Sequence, residues 1–165
     1  MRILGVDPGI ATCGYGVVDS SGNLLRMVAY GAVETDKKLA VEQRLQLVYE
    51  GISALIKTYQ PDMISVEQLF FNRNVTTAIV VGEARGVILL AAAQQGLPIK
   101  EYTPLQVKQS VVGYGKATKE QVILMVQRLL ALREKPKPDD AADALAMAIC
   151  ALHASTYSNL REKSR

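Results

Sequence analysis

Several chemistries are excluded by what this chain has little of. It carries one histidine and no tryptophan. A lone His153 cannot supply a zinc site or a catalytic triad. Its two cysteines, Cys13 and Cys150, stand in apolar or small-residue surroundings with no CxxC spacing, which reads as reduced, packed thiols rather than a redox or metal motif. No stretch approaches the roughly 18 uninterrupted apolar residues of a membrane span, and MRILGVDPG lacks the apolar core of a secretion signal. The protein is therefore expected in the cytoplasm. Internal repeats and low-complexity segments are also missing.

What is present suits one domain. The chain has 165 residues, of which 49% are hydrophobic, enough for one sizeable core. No linker divides it. The expected organisation is a single domain over 1–156, followed by a polar tail, YSNLREKSR, over 157–165. The formal net charge is only +3, but it is unevenly spread. Residues 100–137 hold 8 basic and 3 acidic side chains, while acids slightly outnumber bases on either side. A basic stretch beside acids suits phosphate binding next to a metal, although a solvated lysine-rich face would leave the same trace.

The hydrophobic pattern yields an element order. RILGVD (2–7), GYGVVD (14–19) and LLRMVAYGAVE (24–34) read as three strands of an antiparallel meander. Val41, Leu45, Val48, Ile52, Leu55 and Tyr59 recur at helical spacing up to Pro61. DMISVE (62–67) is a fourth strand, parallel to the first through a crossover helix. From Val75 to Gln95 the chain is small and apolar; Gly82 and Gly86, four apart, suggest a buried helix closely packed on a neighbour, with a subunit interface as one option. LPIKEY (97–102) is a fifth strand. Thr103-Pro104 opens a short helix, Thr118 with Gln121 forms a capping-box pattern for the next over 119–132, and a last helix starts near Asp139. The sum is an α/β domain with a five-stranded mixed sheet, its first three strands antiparallel, flanked by helices on both faces.

Four acids end or open buried elements in this scheme: Asp7 closes the first strand, Glu67 the fourth, and Asp140 and Asp143 open the last helix. An unpartnered charge at the edge of a core costs several kcal/mol, on the order of the penalty for burying an isolated ion, so acids gathered there imply a cation. Asp7 and Glu67 meet at the carboxyl ends of neighbouring strands, where open α/β sheets collect ligands. Asp140 and Asp143 share one helix face. First-turn acids also simply favour the helix dipole, yet the run AADALAMAICAL is apolar almost all round, so Asp143 is expected to need a buried partner. Oxygen donors without histidine or thiolate select Mg²⁺ or Mn²⁺, and two such ions suit in-line displacement at phosphorus.

The chain's two phenylalanines, Phe70 and Phe71, are adjacent and are followed at once by Asn72-Arg73-Asn74. Adjacent aromatics on a polar loop cannot both face one core. A wet aromatic beside Arg73 could stack on an unpaired base; equally, one ring could pack on the core. Lys108 and Lys119 could meet phosphate or be solvated helix charges, and Tyr114 could meet DNA or merely pack.

The segments ILGVDPGIATCGYGVVD, SVEQLFF with NRN after it, GEARGVILLAA, QVKQSVVGYGKATKEQV and DDAADALAMAI together resemble the RuvC family of bacterial Holliday-junction resolvases, in register over roughly residues 2–153. The resemblance implies a ribonuclease-H-like fold, a homodimer, two divalent ions per active site (Mg²⁺, with Mn²⁺ as a substitute), and paired nicks at four-way junction DNA leaving 5′-phosphate ends, in recombination and repair. It places Asp7, Glu67, Asp140 and Asp143 on the family's metal-binding, catalytic acids, with Asp139 as an extra neighbour. It assigns base stacking to Phe70, with Phe71 as a possible substitute, and DNA contacts to Lys108, Lys119 and Lys116. A RuvA–RuvB branch-migration complex is the partner the resemblance suggests. A relative acting on other nucleic acid, such as RNA, and a non-catalytic junction-binding module are the competing readings.

Overall fold

The first strand, β1 (Arg2–Asp7), is buried from Ile3 to Val6 because it is the centre of the sheet and is covered on both faces. In a computed structural model that describes residues 1–22, 24–68 and 75–163, side chains of 75–77 and 157–163 aside, β2 (Thr12–Ser21) and β3 (Leu24–Glu34) follow as an antiparallel meander. Helix α1 (Val41–Tyr59) crosses over to β4 (Met63–Glu67), which runs parallel to β1. Helix α2 (Val75–Gln94) then leads to β5 (Ile99–Tyr102), parallel to β4. The sheet order β3-β2-β1-β4-β5 puts the ends of β1 and β4 side by side, as the crossover argument expects. Helices α3 (Pro104–Val112), α4 (Lys119–Leu129) and α5 (Asp139–Lys163) complete the chain.

Strand alternation sorts the side chains into two cores. Leu4, Val6, Val17, Ile64 and Val66 face α1 and α2, where Val48, Ile52 and Ile88 meet them. Ile3 and Val18 face the other way, onto Leu145, Ile149 and Val126 from α5 and α4. By the same parity Asp7, two residues on from Gly5 and four from Ile3, and Glu67, two on from Ser65, belong to the α5 face.

Local chemistry sets the helix boundaries. Thr118 Oγ1 accepts from the Gln121 N–H at 3.2 Å while Gln121 Oε1 accepts from the Thr118 N–H at 2.8 Å. The same reciprocal box joins Thr103 and Gln106. Strand β5 starts at Ile99 rather than Leu97, since the Leu97 N–H turns back to the Ala92 carbonyl at 3.1 Å around Gly96 in the left-handed region. Helix α4 stops at Leu129, short of 132, because Ala131 takes a positive φ and the Leu132 N–H bonds the Gln127 carbonyl.

Two expectations need correction. Helix α5 continues to Lys163, past the point at 157 where the polar composition suggested a tail. Helix α2 is not buried all round: Ala84, Ile88, Ala91 and Ala92 are buried, but Ile79 and Leu90 are exposed, and a Cβ on Gly86 would meet nothing within 4 Å. Gly86 thus makes no close packing contact within the chain. Among the described residues no helix is long and apolar enough to cross a membrane.

Candidate active site

Helix α5 lies unusually close to the sheet, and glycine is the reason. A Cβ on Gly5 of β1 would overlap the Ala144 carbonyl, and one on Gly14 of β2 would overlap the carbonyl of Asp140. Gly14 is the register partner of Asp7, so the first turn of α5 is laid directly beside the end of β1. Two turns further in, the buried Ser65 of β4 donates its hydroxyl to the Met147 carbonyl at 3.0 Å, tying the strand that carries Glu67 to the same helix. Ala141, Ala144 and Ala148 are buried in this contact.

The result is a cavity of about 260 Å³ at the carboxyl ends of β1 and β4. Asp7, Glu67 and Asp143 line it together with Lys108 and Lys119, and Val107 and Met147 are among its apolar walls. Asp140 opens instead onto a neighbouring hollow of about 450 Å³ formed by the β1–β2 turn and by Val80 and Val81 of α2. A larger cavity, about 720 Å³, lies around Tyr102, Ser110, Cys150 and His153 and holds none of these acids. There His153 Nδ1 lies 3.1 Å from the Ser110 carbonyl, and the imidazole is structural in that setting.

Asp7 is where the charges converge. Burial, followed by the negative charges of Asp143, Glu67 and Asp140, pushes its carboxyl up to about 7, with Lys119 acting in the opposite sense. Burial raises Glu67 as well, and Asp143 adds to it. A carboxylate raised by neighbouring carboxylates marks a site that wants a cation. Lys119 supplies one such charge: its Nζ stands 2.9 Å from Asp143 Oδ2 and 3.8 Å from Asp139 Oδ2. The hydrogen bond to Asp143 in turn raises the lysine. Among the described residues, no three acids, histidines or cysteines are drawn together into a ready-made metal cage. The donor set nonetheless fits a hard divalent ion: it is all oxygen, its members repel one another, and the two thiols are buried, with Cys13 pushed up to about 12 and Cys150 to about 11 by burial.

The structure thus brings Asp7, Glu67, Asp143, Lys108 and Lys119 to one cavity and sets Asp140 beside it. Asp143 is only partly buried, and its partner is Lys119 rather than a core group. Asp139 lies exposed at the rim, and Lys116 and Tyr114 are exposed on the α3–α4 loop. Phe70, Phe71 and Arg73 lie outside the described residues. Sequence reasoning missed Gly5, Gly14 and Ser65, although glycines inside strands are a signal of close backbone approach. It also missed the pairing of Lys119 with Asp143.

The family model described as "Crossover junction endodeoxyribonuclease RuvC" matches residues 3–151. The chain is 59% identical over 157 residues to the crossover junction endodeoxyribonuclease RuvC of Heliobacterium modesticaldum, covering 95% of this chain and 97% of that one. To the protein of the same name in Clostridioides difficile it is 54% identical over 164 residues, covering 99% and 95%. Thermus thermophilus RuvC in complex with Holliday junction substrate superposes with a TM-score of 0.91 at 35% identity, over 96% of each chain. A yeast mitochondrial Holliday junction resolvase shares the fold at a TM-score of 0.65 and 14% identity, over 99% of this chain and 86% of that one.

Proposed function

Since this chain belongs to the RuvC family of crossover junction endodeoxyribonucleases, we propose that it resolves Holliday junctions by paired hydrolytic nicks that leave 5′-phosphate ends. The observation that carries this reading is the convergence of Glu67, Asp140 and Asp143 on Asp7, with two lysines in the same cavity.

Asp7 lines the cavity and feels the charge of Asp140 beside it, so it is the acid on which the set is centred. Glu67 and Asp143 join it on one side and Asp140 on the other. These four acids would hold two Mg²⁺ ions, with Mn²⁺ as a substitute. Such a pair supplies charge to the attacking and leaving oxygens of an in-line displacement at phosphorus. Lys108 and Lys119 position the backbone by charge-assisted contacts to phosphate. The apolar walls contributed by Val107, Val122 and Met147 limit water around the cavity and so strengthen every charge interaction inside it. Phe70, with Phe71 beside it and Arg73 close by, would stack on an unpaired base at the opened junction, worth about 1–3 kcal/mol per base.

Two strands must be cut, which calls for two sites related by the two-fold symmetry of the junction. A homodimer supplies them. The outward stripe of α2, where Ile79, Gly86 and Leu90 are exposed around a single acid, Glu83, is the face that suits it. Cytoplasmic action beside a RuvA–RuvB branch-migration complex fits the same family reading.

The test is Mg²⁺-dependent nicking of a synthetic four-way junction, set against linear duplex and structured RNA. The parent protein should nick the junction symmetrically, and Asp7→Asn should bind it without cutting. Equal cutting by Asp7→Asn would remove the metal-site reading, and preferential cutting of RNA would remove the junction reading.

A further inference from the structure

Lys119 is the first residue of α4, and its backbone is fixed by the Thr118–Gln121 capping box. Its side chain is not so constrained: it is 53% exposed, and a four-carbon stem lets the ammonium reach several positions. The position it takes is inside the cavity, 2.9 Å from Asp143 Oδ2. On the solvent side, the exposed Asp139 offers a second anchor at 3.8 Å.

A hard divalent ion bound by the same carboxylate would sit about 2.0–2.6 Å from its oxygen. An ammonium hydrogen-bonded to that group and a dication coordinated to it would be only a few ångströms apart, and like charges so placed in a partly buried cavity repel strongly. We propose that Lys119 and the divalent cation are mutually exclusive partners of Asp143, so that loading the site expels the ammonium toward the rim, where it meets the DNA backbone. This rests on the metal-site reading given above. It adds that the chain carries its own competitor for the metal, a built-in cation that holds the acids together before loading and becomes a phosphate contact afterwards.

One further observation bears on the exchange. Lys108 lines the same cavity, yet among the described residues only Lys119 is ion-paired with the site's acids. The two lysines thus separate direct competition from general charge repulsion.

The experiment measures Mn²⁺ binding to the full-length protein without DNA, by calorimetry and by the electron paramagnetic resonance of free Mn²⁺. Lys119→Met should bind Mn²⁺ on the order of tenfold tighter than the parent. Lys119→Arg, which keeps the charge and can remake the pair, should bind as the parent does. Lys108→Met should stay within about twofold of the parent, since it removes a charge without freeing an acid. The midpoint of thermal unfolding gives a second readout: in chelator Lys119→Met should melt below the parent, and saturating Mn²⁺ should raise it by more. Unchanged or weaker Mn²⁺ binding by Lys119→Met overturns the exchange, as does an equal gain in Lys108→Met. If no form binds Mn²⁺, the metal-site reading falls and takes this inference with it, whereas binding that is equal in all forms sinks the exchange alone.

Discussion

The backbone carbonyl of Asp140 rests on Gly14, in space that any side chain at that position would fill. Because Gly14 is also the register partner of Asp7, its missing Cβ, together with that of Gly5, lets the helix that carries two of the four acids lie against the end of the first strand.

Gly14→Ala should therefore damage both fold and site. The obstruction is backbone on a helix anchored along its length, so the strain cannot be relieved by turning a rotamer. A loss at or above the usual overpacking range of about 1–3 kcal/mol is expected in urea unfolding. Junction nicking should fall even at temperatures where the variant is fully folded. A variant as stable and as active as the parent would show that α5 can lift away from the sheet without consequence.

Asp7 makes stability depend on pH. Its carboxyl is raised from 3.8 to about 7 on folding, so between these values the folded state binds a proton that the unfolded state has released. Stability in the absence of divalent metal is then greatest at the acidic end of this window, declines as pH rises through it, and levels off above about 7. The decline from this group is at most about 4 kcal/mol. Glu67 is shifted in the same direction and steepens the trend. Thermal melts in chelator across this range should show the decline in the parent and a flatter profile in Asp7→Asn, with the variant the more stable protein at neutral pH. A parent whose stability climbs toward pH 7 would contradict the burial and repulsion assigned to Asp7.

Lys108 faces the cavity without an ion pair to its acids among the described residues, so its charge is available for phosphate. Lys108→Ala should weaken junction binding at low salt and lower the slope of log affinity against log salt by about 1, with little change among junction sequences. Fluorescence anisotropy over a salt series measures this. A change confined to particular sequences would instead identify base readout.

Ser65→Ala removes the buried hydroxyl that joins β4 to the Met147 carbonyl. The carbonyl lies within α5, so the expected cost is that of one net hydrogen bond, about 0.5–1.5 kcal/mol. Urea unfolding checks the figure. A loss far beyond it would mean that Ser65 also sets the spacing between β4 and α5.

Much of the fold is legible because the patterns are local. The stripe through Val48, Ile52 and Leu55, the proline after α1, and the Thr118–Gln121 box each declare an element within a few residues. Boundaries slipped where a backbone turn prevailed over composition: Leu97 is apolar yet bonds back to Ala92, and Ala131 adopts a positive φ inside a leucine-rich run. In α2 the small, apolar composition suggested a buried helix packed on a neighbour, and within the chain one face, with Ile79 and Leu90, is outward.

For the site, residue order was enough to place Asp7 and Glu67 at the ends of neighbouring strands and Asp140 and Asp143 in one helical turn, because strand alternation and helix periodicity are properties of the chain itself. How near these groups come to one another is not such a property. It depends on a helix lowered onto Gly5 and Gly14, on a hydroxyl of β4 reaching Met147, and on a lysine 24 residues before Asp143 in sequence lying 2.9 Å from its carboxylate. Interactions of that kind join segments far apart in sequence, and their strength falls steeply with distances that only the packed structure sets.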